Sequence, residues 1–222
     1  MNTHFHSLIL QALPMKPSID VLDLLIKGGL VMIPLALLSV AALIMIIERS
    51  LFFGKNIKYS DKVFKEFLGN MSQGKMNEAA AVCEKEKNSW GRIFMYATVN
   101  GAQSPEQMDA ILEEASEVEI ARLEKGLNYL SIIAGVAPLL GFIGTIIGVI
   151  TIFFDISISQ DISIAVISEG LYKKMVTSAT GLVVGIIAFS AYHLFQNQID
   201  QFVNAIREQS LNLKITLQSR QR

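Results

Sequence analysis

Residues 127–154 read LNYLSIIAGVAPLLGFIGTIIGVITIFF, without a single charged side chain. A helix that crosses a bilayer needs about 20 mostly apolar residues at a rise of about 1.5 Å each. This run meets that length, and it is far too long for one buried strand. Working outward, a second uncharged run, LVMIPLALLSVAALIMII, covers residues 30–47 and ends at Glu48-Arg49. It extends back to about residue 22 past Gly29, Gly28 and Lys27, whose stem can snorkel toward water. Pro34 near its start is tolerable in lipid, where neighbouring groups can satisfy a freed carbonyl. A third run, MVTSATGLVVGIIAFSAYHLF, covers residues 175–195 and carries only His193 as a titratable group. Begun at residue 164, it also takes in Glu169, Lys173 and Lys174.

The expected fold class is therefore an all-α membrane protein with three transmembrane helices, two of them long and extended into a helical cytoplasmic region. The expected segments are an external N-terminal arm (1–21), span one (22–47), a cytoplasmic helical region (48–126), span two (127–154), a periplasmic loop (155–163), span three (164–195) and a cytoplasmic tail (196–222). Composition agrees. Apolar residues make up 51% and charged residues 18% of the 222, against about 25% charged in soluble domains. Net charge is −1, which gives no ground for expecting a nucleic-acid partner. Cys83, the lone cysteine, cannot close an internal disulfide and has no metal-ligand spacing around it; it reads as a small apolar packing residue. The opening MNTHFHSLILQALP lacks the Lys or Arg that precedes the apolar run of a secretory leader.

Lys and Arg set the orientation of spans. Arg49, Lys55, Lys58, Lys62 and Lys65 follow span one, Arg122 and Lys125 precede span two, and Arg207, Lys214, Arg220 and Arg222 follow span three. Residues 155–163 carry neither. That loop and the N-terminus should face the periplasm, and the middle segment and tail the cytoplasm. Lys173 and Lys174 are a local dissent. In the middle segment Asn77–Lys85 and Trp90–Val99 read as short helices. Ser104-Pro105-Glu106-Gln107 is a helix start, with a Ser cap, Pro at the first position and Gln at the third. From there one long helix, or two nearly collinear ones, runs into span two, with Ile111, Ala115, Val118, Ala121 and Leu123 roughly marking its apolar stripe. Glu113, Glu114, Glu117 and Glu119 are expected on its other faces.

The composition inside the spans is the most informative feature. Lipid gives helices little hydrophobic reason to associate, so they pack where small residues let backbones approach. Span two carries Gly135, Pro138, Gly141, Gly144, Thr145 and Gly148, and span three carries Thr177, Ser178, Thr180, Gly181 and Gly185. Gly144-x-x-x-Gly148 and Gly181-x-x-x-Gly185 on consecutive spans joined by a short loop predict a tight hairpin. The hydroxyl-bearing faces are either packing seams or the lining of a narrow polar path, and spacing alone does not choose. No carboxylate lies in the apolar middle of any span, whereas a proton relay needs a titratable group at depth. A carrier would have to come from another chain, and three such helices cannot enclose a pore alone.

Three stretches resemble the MotA/TolQ/ExbB proton channel family, most closely its ExbB and TolQ branch. Glu48-Arg49 closes span one; Pro138-x-x-Gly141-x-x-Gly144-Thr145-x-x-Gly148 matches the motif of the family's span two; and Gly170–Tyr192 resembles its third span. The resemblance implies a homo-oligomer, an oligomeric ring of five copies (a pentamer), around a single-span partner of the ExbD or TolR type whose membrane Asp carries protons, with a TonB-like protein as a further partner and membrane lipid around it. It places the pore hydroxyls on Thr145 and Ser178, with Thr177 beside the latter. Where the family has a span-three glutamate five residues earlier, this chain has Lys173. That lysine either anchors at the interface, pairs with Glu169 one turn earlier, or stands in the path and alters ion choice or gating.

The function expected is an inner-membrane proton-channel and motor subunit, ExbB-like, that energises TonB-dependent outer-membrane transport. A TolQ-like role in outer-membrane integrity and division, or a non-conducting scaffold, are the alternatives. An enzyme is disfavoured: His4, His6 and His193 are scattered, no nucleophile has a base, and the span-two glycines follow no strand, so a dinucleotide site fails. No cofactor and no metal are expected.

Overall fold

The computed structural model describes residues 28–58, 60–99, 104–159 and 164–220. Residues 1–27, with the expected external arm, the first residues of span one and His4 and His6, lie outside them, as do residues 160–163 of the expected loop. Among the described residues the chain forms seven helices and no strand: α1 (Met32–Asn56), α2 (Asp61–Ser72), α3 (Met76–Lys85), α4 (Ser89–Val99), α5 (Pro105–Glu124), α6 (Leu127–Ser159) and α7 (Ile164–Arg220). Three of them contain stretches long and apolar enough to cross a membrane, Met32–Asn56, Leu127–Ile158 and Gly170–Gln218.

The helices outlast their apolar runs. α1 continues past Glu48-Arg49 to Asn56, α6 continues five residues past Phe154, and α7 continues through the tail. Between Gly185 and Arg220 the sequence has neither Gly nor Pro to stop it. Ser104 caps α5 by accepting a hydrogen bond from the Gln107 amide at 3.2 Å, which satisfies one of the free donors of the first turn. Of the two possibilities left open after Ser104, the structure has two helices. α5 stops at Lys125, and Gly126 turns with φ +90°, a conformation that glycine adopts at no steric cost. The Arg49 guanidinium lies against it, so a Cβ there would stand 3.6 Å from the Arg49 Cζ.

The chain divides into two compact units, one of residues up to Leu37 with Pro138–Val183, the other of Leu38–Ala137 with Val184–Arg222. The second unit has an aromatic core. Phe67, Trp90 and Phe94 are almost wholly buried. Trp90 stacks on Phe94 with centroids 4.8 Å apart and meets Phe67 edge-on at 5.9 Å, the offset and T-shaped arrangements that aromatic quadrupoles favour. The Trp90 indole N–H donates to the Gln209 side chain of α7. The start of α4 is fixed by Asn88, whose Oδ1 accepts from the Gly91 amide at 2.8 Å while its Nδ2 donates to the Lys58 carbonyl at 2.7 Å. Gly91 admits no side chain, since a Cβ would lie 2.1 Å from the Glu86 carbonyl oxygen and 2.6 Å from that of Cys83.

One expectation on α5 is corrected. Its buried side is Met108, Leu112, Ala115, Glu119 and Leu123, whereas Val118 is 55% exposed and Ala121 also faces outward. Glu119 is only 3% exposed, although its charge assigned it to the outside. Arg92 clamps it with two nitrogens at 2.8 and 2.9 Å, and Arg122 adds a third bond at 2.8 Å. Charge-assisted bonds of this kind offset the desolvation of the carboxylate. Arg92 also donates to the Asn56 Oδ1 at 3.1 Å, so one guanidinium ties α1, α4 and α5 together.

Candidate functional site

The first unit is built around a seam between α6 and α7. Along it the residues of α6 rise as those of α7 fall. A Cβ on Gly141 would stand 3.0 Å from the Ser178 Cα, one on Gly144 2.7 Å from the Thr177 Cγ2, and one on Gly148 2.0 Å from the Lys174 Cγ. Further along the same antiparallel series, a Cβ on Gly170 would meet Ile152 at 2.7 Å. This is an antiparallel hairpin in which each helix gives up side chains where the other needs room, the small-residue packing that spans use in place of hydrophobic burial. Gly141, Gly144 and Gly148 are buried. Gly181 and Gly185 are buried too, and Pro138 is half-buried inside α6.

The hydroxyls divide into three situations. Thr177 is fully buried and donates to the Gly28 carbonyl at 3.1 Å, tying α7 to the turn that precedes α1. Thr145 is half-buried and donates to the Phe142 carbonyl of its own helix at 2.6 Å, a local bond that leaves the oxygen's lone pairs able to accept. Ser178 is half-buried, and among the described residues nothing hydrogen-bonds its hydroxyl. The seam therefore spends the Thr177 hydroxyl on structure and leaves the oxygens of Thr145 and Ser178 able to accept.

The side chains of Lys173 and Glu169 lie outside the described residues. The lysine that the structure places is Lys174, which sequence reasoning missed. Its stem runs across Gly148, and its Nζ would stand 3.6 Å from a Cβ on Gly29, where φ is +82°. The available signal was its position one turn before Thr177, on the side of α7 that meets the glycines. The turn at Gly28 and Gly29 was missed as well, because it precedes the apolar run. Among the described residues no three His, Cys, Asp or Glu side chains gather as metal ligands.

The outward faces of these helices are apolar. Phe142, Ile146, Ile150 and Phe153 of α6 are each more than 40% exposed, a continuous surface that a soluble chain would not leave bare and that suits a lipid or helical environment.

A sequence profile of the MotA/TolQ/ExbB proton channel family matches residues 64–208. The chain is 30% identical over 189 residues to a putative biopolymer transport protein, ExbB-like 1, of Synechocystis sp., covering 82% of this chain and 74% of that protein. It is 24% identical over 210 residues to the Tol-Pal system protein TolQ of Haemophilus influenzae, covering 87% and 90%. To the biopolymer transport protein ExbB of Salmonella typhimurium it is 30% identical over 96 residues, 43% and 39% of the two chains. A hairpin of glycines and hydroxyls between apolar helices, together with these matches, leads to one conclusion: the chain belongs to the MotA/TolQ/ExbB proton channel family.

Proposed function

We propose that the chain is an ExbB-like subunit of an inner-membrane motor. Copies form a ring, a pentamer by analogy with the resemblance, around a single-span partner of the ExbD type that carries a membrane Asp. The N-terminus faces the periplasm and the C-terminus the cytoplasm. Protons pass between the partner's carboxylate and the oxygens of Thr145 and Ser178, and the motion this drives energises a TonB-like protein for outer-membrane uptake. Each charge crossing yields about 2.3 kcal/mol per 100 mV of membrane potential.

The observation that carries this reading is the hairpin itself: hydroxyl oxygens at mid-span, no carboxylate in the apolar middle of any span, and apolar outer faces that call for neighbours. The Thr145 and Ser178 hydroxyls can pass a proton but cannot store one near neutral pH. The test is proton flux into liposomes holding the complex purified with its partner, read with a pH-sensitive dye. Wild-type complex should conduct, and Thr145→Ala should lower flux at least tenfold while the partner stays bound. A wild-type complex that passes no protons would favour the non-conducting scaffold, the reading that the Lys173 departure supports. A TolQ-like role in envelope integrity is favoured by the near full-length match to the Haemophilus protein. Deletion of the gene distinguishes it: detergent sensitivity and chained cells mark the Tol role, loss of siderophore-type uptake the ExbB role.

A further inference from the structure

The second unit carries a cavity of about 360 Å³ between α5 and the last third of α7, a volume within the range of sites that hold ligands or peptide side chains. Its floor is apolar: Leu112, Phe202 and Ile206 are each 3% exposed or less. Leu211 at the lip is 55% exposed. One wall is acidic. Glu113 and Glu117, one turn apart on α5, are exposed, and neither forms an ion pair among the described residues. At one end the carboxylate of Asp109 pairs with Lys214 across the gap, bracing α5 against α7. The rest of α5 deepens the field, with Glu106, Glu114 and Glu124 also on a helix whose only cation is Arg122.

We infer that this groove receives the cytoplasmic tail of the single-span partner, as a basic peptide with an apolar anchor; the inference rests on the function proposed above. The charge argument is general. A single-span protein whose N-terminus stays inside carries Lys and Arg beside its span, and an acidic wall complements that flank whatever its sequence. The spacing agrees. Glu113 and Glu117 stand about 6 Å apart along the helix, and two cations separated by one residue on an extended peptide stand about 6.6 Å apart. The reach agrees too. The groove residues of α7, from Phe202 to Lys214, lie about 10 to 29 Å along the helix beyond Phe195, the expected end of span three. An extended tail covers that in about three to nine residues. An apolar side chain of the tail fills the space over Leu112 and Phe202, and its cations face Glu113 and Glu117.

The test uses the full chain co-expressed in cells with its tagged partner. A photoreactive benzoylphenylalanine placed at Leu211 should give an adduct with the partner, mapping to the segment before the partner's span. The same group at Val99, 71% exposed on α4 and outside the groove, should give none. Glu113→Lys together with Glu117→Lys should cut the Leu211 adduct at least fivefold while the partner still co-purifies. An adduct joining two copies of this chain, or no adduct although the partner co-purifies, overturns the inference, as does an adduct that survives the charge reversal. A partner that fails to co-purify at all sinks the functional reading along with it, and that outcome is seen before any irradiation.

Discussion

Each of the two units is held together internally, and by opposite means. In the first, α6 and α7 meet at glycines and a buried threonine, backbone close to backbone, with Lys174 laid across Gly148. In the second, bulky rings and a buried carboxylate between two arginines fill the space between helices. The difference follows from the surroundings: the glycine seam lies along the apolar spans, whereas the rings and the ion pair lie outside the uncharged runs. Where apolar side chains gain nothing by leaving lipid, close packing of small residues is the source of association. Where water is the alternative, large apolar groups supply about 25 cal/mol per Å² buried, and an ion pair needs both partners in place. The first unit should therefore be sensitive to added atoms and the second to removed ones.

The largest effect should come from Trp90→Ala, which empties the aromatic core. Truncation of a buried ring costs about 3–5 kcal/mol, so the melting midpoint in detergent, followed by circular dichroism, should fall by roughly 10 °C. A fall smaller than that of Gly141→Ala would break the comparison. Next, Glu119→Gln removes the charge between Arg92 and Arg122, whose side chains are 33% and 50% exposed. Their access to water moderates the loss, and about 2 kcal/mol is expected in the same melt. In the first unit, Gly141→Ala drives a methyl against the backbone of Thr177 and Ser178 and should cost about 1–3 kcal/mol. Gly148→Ala meets only the stem of Lys174, so it should cost less, and Lys174→Ala in the same chain should restore it. A Gly148→Ala defect untouched by the second change would mean that the lysine is not what fills the slot. The smallest effect is an absence of reaction. Burial pushes the Cys83 thiol up to about 12, so at pH 8 only about one molecule in ten thousand carries the reactive thiolate. Maleimide should leave Cys83 unlabelled in the folded chain and label it fully in denaturant.

Much of this contrast could be read from residue order. The uncharged runs gave the three membrane-length helices, and the seam between two of them is built at Gly141, Gly144 and Gly148. The short helices around Cys83 and Trp90 lie within a residue of where their patterns put them. Glu119 was hidden because burial of a charge depends on Arg92, 27 residues away in the chain, and no periodicity on α5 can show that partner. The bond from Thr177 to the Gly28 carbonyl spans 149 residues, and Lys174 was hidden because a lysine looks like an interface anchor until its stem is seen filling a glycine. Local pattern reports which face is apolar; it does not report which distant group makes a polar residue tolerable.

The close approach of Gly141 to Ser178 has a mechanical consequence. Side chains between helices act as a cushion that can shift rotamers and absorb displacement, and here the cushion is missing. A sliding force applied to α7 near Ser178 has no soft layer in which to dissipate, and the stem of Lys174 seated on Gly148 acts as a tooth against slippage. In the seam between Gly141 and Gly148 a push on one helix of the hairpin reaches the other with little lost on the way.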